Sequence, residues 1–150
     1  MTSHHQLSAA DGDAAEIAKR SYRAYVDKDR SAIEPLIAED FHFTSPLDNC
    51  IDRRTYFERC WPNSRWLTGF DFIAVVRSGD RVYVTYVGHG DGGRSFRNTE
   101  ALTVRDGKIV EAEVYFGWNV PHPAPSGGFV EDTPPLASSA RERLTRRSRR

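Results

Sequence analysis

From Phe70 to Trp118 the chain carries four strand-like runs, and the first three each end in the kind of turn a hairpin requires. Phe70 to Arg77 ends at Ser78-Gly79-Asp80. Val82 to Gly88 ends at Gly90-Asp91-Gly92-Gly93, and Phe96 to Val104 at Asp106-Gly107; Ile109 to Trp118 is the fourth run. Gly and Asp-Gly turns between alternating runs are hairpin signals, so these strands form an antiparallel meander. A sheet with apolar residues on its faces needs cover, and the cover is written upstream. Ile17, Ser21 and Tyr25 share one helix face, with Ala18, Tyr22 and Val26 beside them. Asp13, followed three residues later by Glu16, has the pattern of a capping box for a helix running to about Asp27. Ile33, Leu36 and Ile37 write a second helix that Pro35 delays or bends. Phe41 and Phe43 alternate with His42 and Thr44 as a short strand that breaks at Ser45-Pro46. A polar loop with Asp48 and Asn49 follows, then a third helix capped by Asp52 and stopped by Pro62-Asn63-Ser64. Helices first and antiparallel strands afterwards describe an α+β fold.

Composition adds bounds. A chain of 150 residues, 39% of them hydrophobic, is one domain with one core. The expected division is a flexible N-terminus over 1–12, a folded unit over 13–120 and a disordered tail over 121–150. The formal net charge is zero, but six Arg against Glu131, Asp132 and Glu142 leave the tail at about +3. That tail has neither aromatic interleaving nor a platform, so nucleic acid is not an expected partner. No apolar run approaches the ~18 residues of a membrane span, and no secretory leader pattern is seen, so a cytoplasmic location is expected. Cys50 and Cys60 are read as two reduced thiols.

Several marks occur in a telling order: Asp29-Arg30-Ser31-Ala32-Ile33, Leu36 to Asp40, Phe43-Thr44-Ser45-Pro46, Tyr56-Phe57 with Trp61, Asp106 to Glu111, and Tyr115-Phe116-Gly117. Together they resemble the SnoaL-like branch of the nuclear transport factor 2-like superfamily, relatives of ketosteroid isomerase and the polyketide cyclases, over residues 13–120. The resemblance implies a curved antiparallel sheet wrapped as a cone around the N-terminal helices, with an internal pocket. It also implies a homodimer through the sheet's outer face, where alternation puts Ile73, Val75, Tyr83, Thr85 and Val87. The family's catalytic positions transfer incompletely. Ser45 stands where ketosteroid isomerase has its general-base aspartate, and spacing puts Ser21 at the oxyanion tyrosine. Glu100 stands where an apolar site keeps an aspartic acid protonated, an arrangement already known from ketosteroid isomerase. Steroid isomerisation by that mechanism is therefore not expected.

Glu100 shares a strand face with Phe96, Asn98, Leu102 and Val104 by period two, so a carboxyl group enters a largely apolar wall. Burial favours the neutral acid, which suits proton donation or hydrogen bonding to a ligand oxygen. Asp48, near the expected pocket mouth, is a candidate for the missing base, against an ordinary turn role. His89, at a strand end, is a candidate proton shuttle, against an exposed turn residue. Tyr25, Asn98, Phe96, Trp61 and Trp118 are candidate ligand contacts; for the aromatics a core role competes. The spacing of Glu100, Asp48 and His89 is not that of metal ligands, and neither a metal nor a cofactor is expected. The expected function is acid–base chemistry of the isomerase, cyclase or hydratase type on a small apolar carbonyl or polycyclic molecule. The rivals are a non-catalytic binding protein and an epoxide hydrolase-like hydratase. The last needs an Asp-Arg-Asp set, and alternation turns Arg97 away from Glu100.

Overall fold

A computed structural model describes residues 9–131, with side chains from Ala14 onward. Residues 1–8 of the expected N-terminal segment and residues 132–150 of the expected tail lie outside the described residues, while residues 9–12 belong to the first helix. Helix α1 spans Ala9–Asp27. Asp13 therefore lies inside the helix, whose start is earlier than a cap at that position would set. A single turn, α2 (Arg30–Ile33), is capped by Asp29, whose carboxylate accepts from the Ala32 amide. Pro35 then sits in a 3-10 turn, Glu34–Leu36, at a position where its missing N–H costs nothing. The second helix pattern thus ends early, and Ile37 already belongs to strand β1 (Ile37–Ser45).

The expected loop at Asp48 and Asn49 is a second strand, β2 (Asp48–Asp52), hairpinned onto β1. Asp52 ends it and caps α3 (Arg53–Arg59), accepting from Thr55 N at 2.9 Å. Strands β3 (Leu67–Ser78), β4 (Arg81–Gly90), β5 (Ser95–Arg105) and β6 (Lys108–Asn119) follow as the expected meander. The six strands form one sheet in the order β2-β1-β6-β5-β4-β3. β1 joins β6 in parallel, and every other pairing is antiparallel. Residues 120–131 run without helix or strand, and the Val120–Pro121 peptide bond is cis.

The sheet curls around α1. Its inner face buries Val82, Val84 and Tyr86 of β4 with Leu102 and Val104 of β5, against Ile17, Ala18 and Tyr22 of α1. Phe41 and Ile109 are fully buried in the same core, Phe41 edge-on to Tyr56 at 4.9 Å. Fully burying a side chain of this size is worth roughly 1.5–3 kcal/mol. A bulge in β3 between Phe72 and Ala74 corrects the outer-face reading. The extra residue, Ile73, shifts the alternation, so that Val75 pairs with Val84 and packs on the core, while Val76 pairs with Tyr83 and stands exposed.

Candidate functional site

Burial on the inner face changes along the length of the strands. Along β5, Leu102 and Val104 are buried, whereas Phe96, Asn98 and Glu100 keep partial exposure. Phe116, opposite Asn98 on β6, is 53% exposed. Phe43 of β1, Trp61 and Phe70 of β3 are partly buried against the same core. Aromatic residues of β1, β3, β5 and β6 thus share the inner side of the sheet with Glu100.

Two phenols hold the Glu100 carboxyl group. Tyr22 of α1 donates to Oε2 at 2.8 Å, and Tyr86 of β4 donates to Oε1 at 2.7 Å. Behind Tyr86, the Asn98 amide donates to its hydroxyl at 3.4 Å. The Gly117 N–H in turn donates to Asn98 Oδ1 at 3.2 Å, which fixes the amide. The β4–β5 register puts Tyr86 opposite Asn98 and Val84 opposite Glu100, so the sheet itself assembles this line. Desolvation raises the Glu100 pKa above the ordinary 4.5, and the bonds from Tyr86 and Tyr22 only partly oppose it. Burial likewise pushes the Tyr22 and Tyr86 phenols well up, with the Glu100 charge adding to the shift. Glu100 and its partners are thus biased toward their neutral forms. The ring packing is edge-on throughout: Phe70 lies 5.1 Å from both Tyr22 and Tyr86, and Phe96 lies 6.1 Å from Tyr86. Phe96 can lie there because Gly88 has no Cβ; one built at Gly88 would meet the ring at 2.3 Å.

The first helix supplies a second pair. The Tyr25 and Tyr56 hydroxyls share a hydrogen bond, and Tyr25 packs against Trp61 at 4.8 Å. Cys60 packs partly buried against the same core, its thiol pushed up to about 12 by desolvation and by Asp48. It is a free thiol, as is Cys50.

Several sequence-derived candidates stand elsewhere. Asp48 is held by the Ser45 hydroxyl at 2.8 Å and by Arg59 at 3.0 Å, with its side chain only 10% exposed. Both its oxygens are committed to the turn and the ion pair, so it is not the free base expected at the mouth. His89 lies on the outer face, one residue out of phase with Gly88, and bonds Asp71 and Ser95. It does not meet Glu100. Trp118 also faces outward, under the Arg97 guanidinium at 5.4 Å, and does not wall the cone. Ser21 spends its hydroxyl on the Ala18 carbonyl at 2.6 Å. Tyr25, Trp61 and Phe96 pack partly buried against the core, and Asn98 bonds the Tyr86 hydroxyl. The sequence reading missed Tyr22 and Tyr86 as partners of Glu100. Tyr86 was legible in principle: reflecting β4 onto β5 about Gly92 sets it opposite Asn98. Elsewhere, a shallow hollow of about 300 Å³ lies among Asp40, His42, Arg81, Arg105 and Glu111, away from Glu100 and crossed by the Arg81–Glu111 pair. Among the described residues no group of three His, Cys, Asp or Glu could hold a metal ion, and no helix is long and apolar enough to cross a membrane.

A six-stranded curved sheet packed on a long N-terminal helix defines an α+β fold of the nuclear transport factor 2-like class. The chain belongs to the SnoaL-like domain family, whose model matches residues 18–112. No curated protein sequence matches it. Among solved structures, a protein from Kribbella flavida DSM 17836 is 19% identical, covering 69% of this chain and 85% of its own, with a TM-score of 0.63. A hypothetical protein with a ketosteroid isomerase-like fold from Catenulispora acidiphila DSM 44928, solved with trimethylamine, is 18% identical over 68% of this chain and 85% of its own, with a TM-score of 0.56. IdmH of Streptomyces antibioticus, a candidate polyketide cyclase, is 22% identical over 68% of this chain and 90% of its own, with a TM-score of 0.56. At these identities the likeness carries the fold.

Proposed function

We propose that the open end of the cone takes a small, neutral, mostly apolar molecule with a carbonyl or enol oxygen, and that Glu100 with its phenols does acid–base work on it. The observation that carries this is a carboxyl group bonded by Tyr22 and Tyr86 in an aromatic wall, with neither Arg nor Lys bonded to it among the described residues. An anionic ligand would meet no compensating charge from these groups. A neutral Glu100 brings one proton of its own. Directed at a phenol oxygen, it frees that phenol's O–H to donate to the ligand. An ionised Glu100 instead keeps both phenols as donors and can take a proton. The pair of states gives a donor and an acceptor at one place, which isomerisation, cyclisation or hydration of a carbonyl compound requires. The free thiols fit a reducing compartment such as the cytoplasm.

One observation favours the binding-only reading: both Glu100 oxygens and both Asp48 oxygens already have partners. A metabolite screen by thermal shift separates the readings. Saturating ligand at a hundred times its dissociation constant adds roughly 2.7 kcal/mol to stability. Neutral carbonyl or polycyclic compounds should stabilise the protein, and incubation should convert at least one of them, with Glu100→Gln binding it but not converting it. Stabilisation without conversion supports the binder; stabilisation by charged compounds alone removes the proposal.

A further inference from the structure

The outer face carries a second hydrogen-bonded line that the cone does not use. Asp71 lies on β3, His89 on β4 and Ser95 on β5, on three adjacent strands, and His89 pairs directly with Ser95. Asp71 Oδ2 is 2.7 Å from His89 Nε2, and Ser95 Oγ is 2.9 Å from His89 Nδ1. A carboxylate can only accept, so a neutral ring bonded to it carries its proton on Nε2. Nδ1 is then the lone-pair nitrogen, and the Ser95 O–H donates to it. This is the polarity that a base-assisted hydroxyl needs: a nucleophile bonded to a base, and the base oriented by a third group. The neighbourhood is also built. Arg97 follows two residues along the same face of β5, with its guanidinium over the half-exposed Trp118. The Val120 N–H donates to the Ser95 carbonyl at 3.0 Å and ties the end of β6 to this spot. Tyr83, in the middle of the outer face, is six residues from His89 along β4, about 20 Å at strand rise.

We propose that Ser95 is a nucleophile toward activated acyl esters, a reactive site separate from the cone and independent of the reading given to Glu100. Ser95 Oγ attacks the acyl carbon while His89 Nδ1 takes its proton. Arg97 supplies positive charge for the oxygen that becomes negative. The bond to the leaving alcohol breaks, and that oxygen takes the proton from His89. Water, with reach to an imidazole that is 39% exposed, then attacks the acyl-serine with His89 again as base. The acid leaves and the Ser95 hydroxyl is restored. Trp118 offers a flat apolar surface for the acyl chain or an aromatic leaving group.

The test uses the full chain and p-nitrophenyl acetate. The expected result is a burst of nitrophenolate with one acetyl group mapped to Ser95 by peptide mass spectrometry. Ser95→Ala should abolish both, and Ser95→Cys should restore acylation. Asp71→Asn, which withdraws the group that sets the tautomer, should slow acylation by about a hundredfold, within the usual reach of general-base catalysis. Melting curves confirm that each variant is folded. Hydrolysis no faster than in buffer, a rate unchanged in Ser95→Ala, or acetyl found on another residue would each overturn the assignment.

Discussion

Glu100 makes ionisation costly because its carboxyl group has only two phenols in place of water. Its folded-state pKa lies above the unfolded value, so the sign is fixed. The contribution to stability is fully present below pH 4.5 and is lost as the pH rises through the raised value. Melting scans should therefore show the wild-type protein losing ground to Glu100→Gln as the pH climbs from 4.5 toward neutrality. Parallel curves for the two proteins would contradict this. Tyr86→Phe keeps the ring contacts with Phe70 and Phe96 but strips a donor from Glu100 and an acceptor from Asn98. Leaving such groups unpaired should cost about 1–3 kcal/mol in denaturant unfolding. Glu100 was readable as an inward acid from period-two alternation alone. Tyr22 was not, because two helix faces one residue apart both carry a tyrosine, and only the curl of the sheet decides which meets Glu100 and which meets Tyr56.

At the level of elements, the turns of the β3–β6 meander were written in glycine and the start of α3 in the Asp52 cap, whereas the cap expected at Asp13 falls inside α1. Asp52 shows this at the start of α3: its pKa is lowered by its bonds to Thr55, chiefly the backbone amide. A lowered pKa contributes stability above the unfolded value that is lost as the pH falls through the folded one. Asp52→Ala should lower the melting temperature at neutral pH, whereas Asp52→Asn, also a good cap, should keep most of it and lose that acid dependence. Equal melting temperatures for wild type and Asp52→Ala would show that the cap is idle. Strand β2 was hidden because Asp48-Asn49 has ordinary turn chemistry, and pairing to β1 overrides it. The β3 bulge was hidden for a different reason. Nothing in Phe72-Ile73-Ala74 marks an extra residue; the mismatch exists only against β4. One unseen residue moved Val75 from the outer face to the inner one. His89 stayed open between a pocket role and an exposed turn, since the residue at a strand end can face either way until its neighbour, Gly88, is seen to pack on Phe96.

For the whole molecule, the sheet leaves Ile73, Val76, Tyr83 and Tyr115 exposed on its outer face. Such an apolar patch is costly in water. A homodimer through this face is expected, and Val76→Arg should convert it to monomer in light scattering. A monomeric wild type at micromolar concentration would remove the idea. The core ends with β6, so residues 9–120 alone should melt cooperatively near the temperature of the full chain; loss of the transition would show that the following segment supports the fold. On this account the fold places one phenol-bonded carboxyl group with a raised pKa among aromatic rings of the inner face. The most direct measurement is an NMR titration of isotope-labelled glutamate carboxyl groups, with Glu100 assigned through Glu100→Gln. The account predicts a resonance that titrates above 4.5, and higher still in Tyr86→Phe, because the Tyr86 bond holds the value down. Titration at or below 4.5 would contradict it.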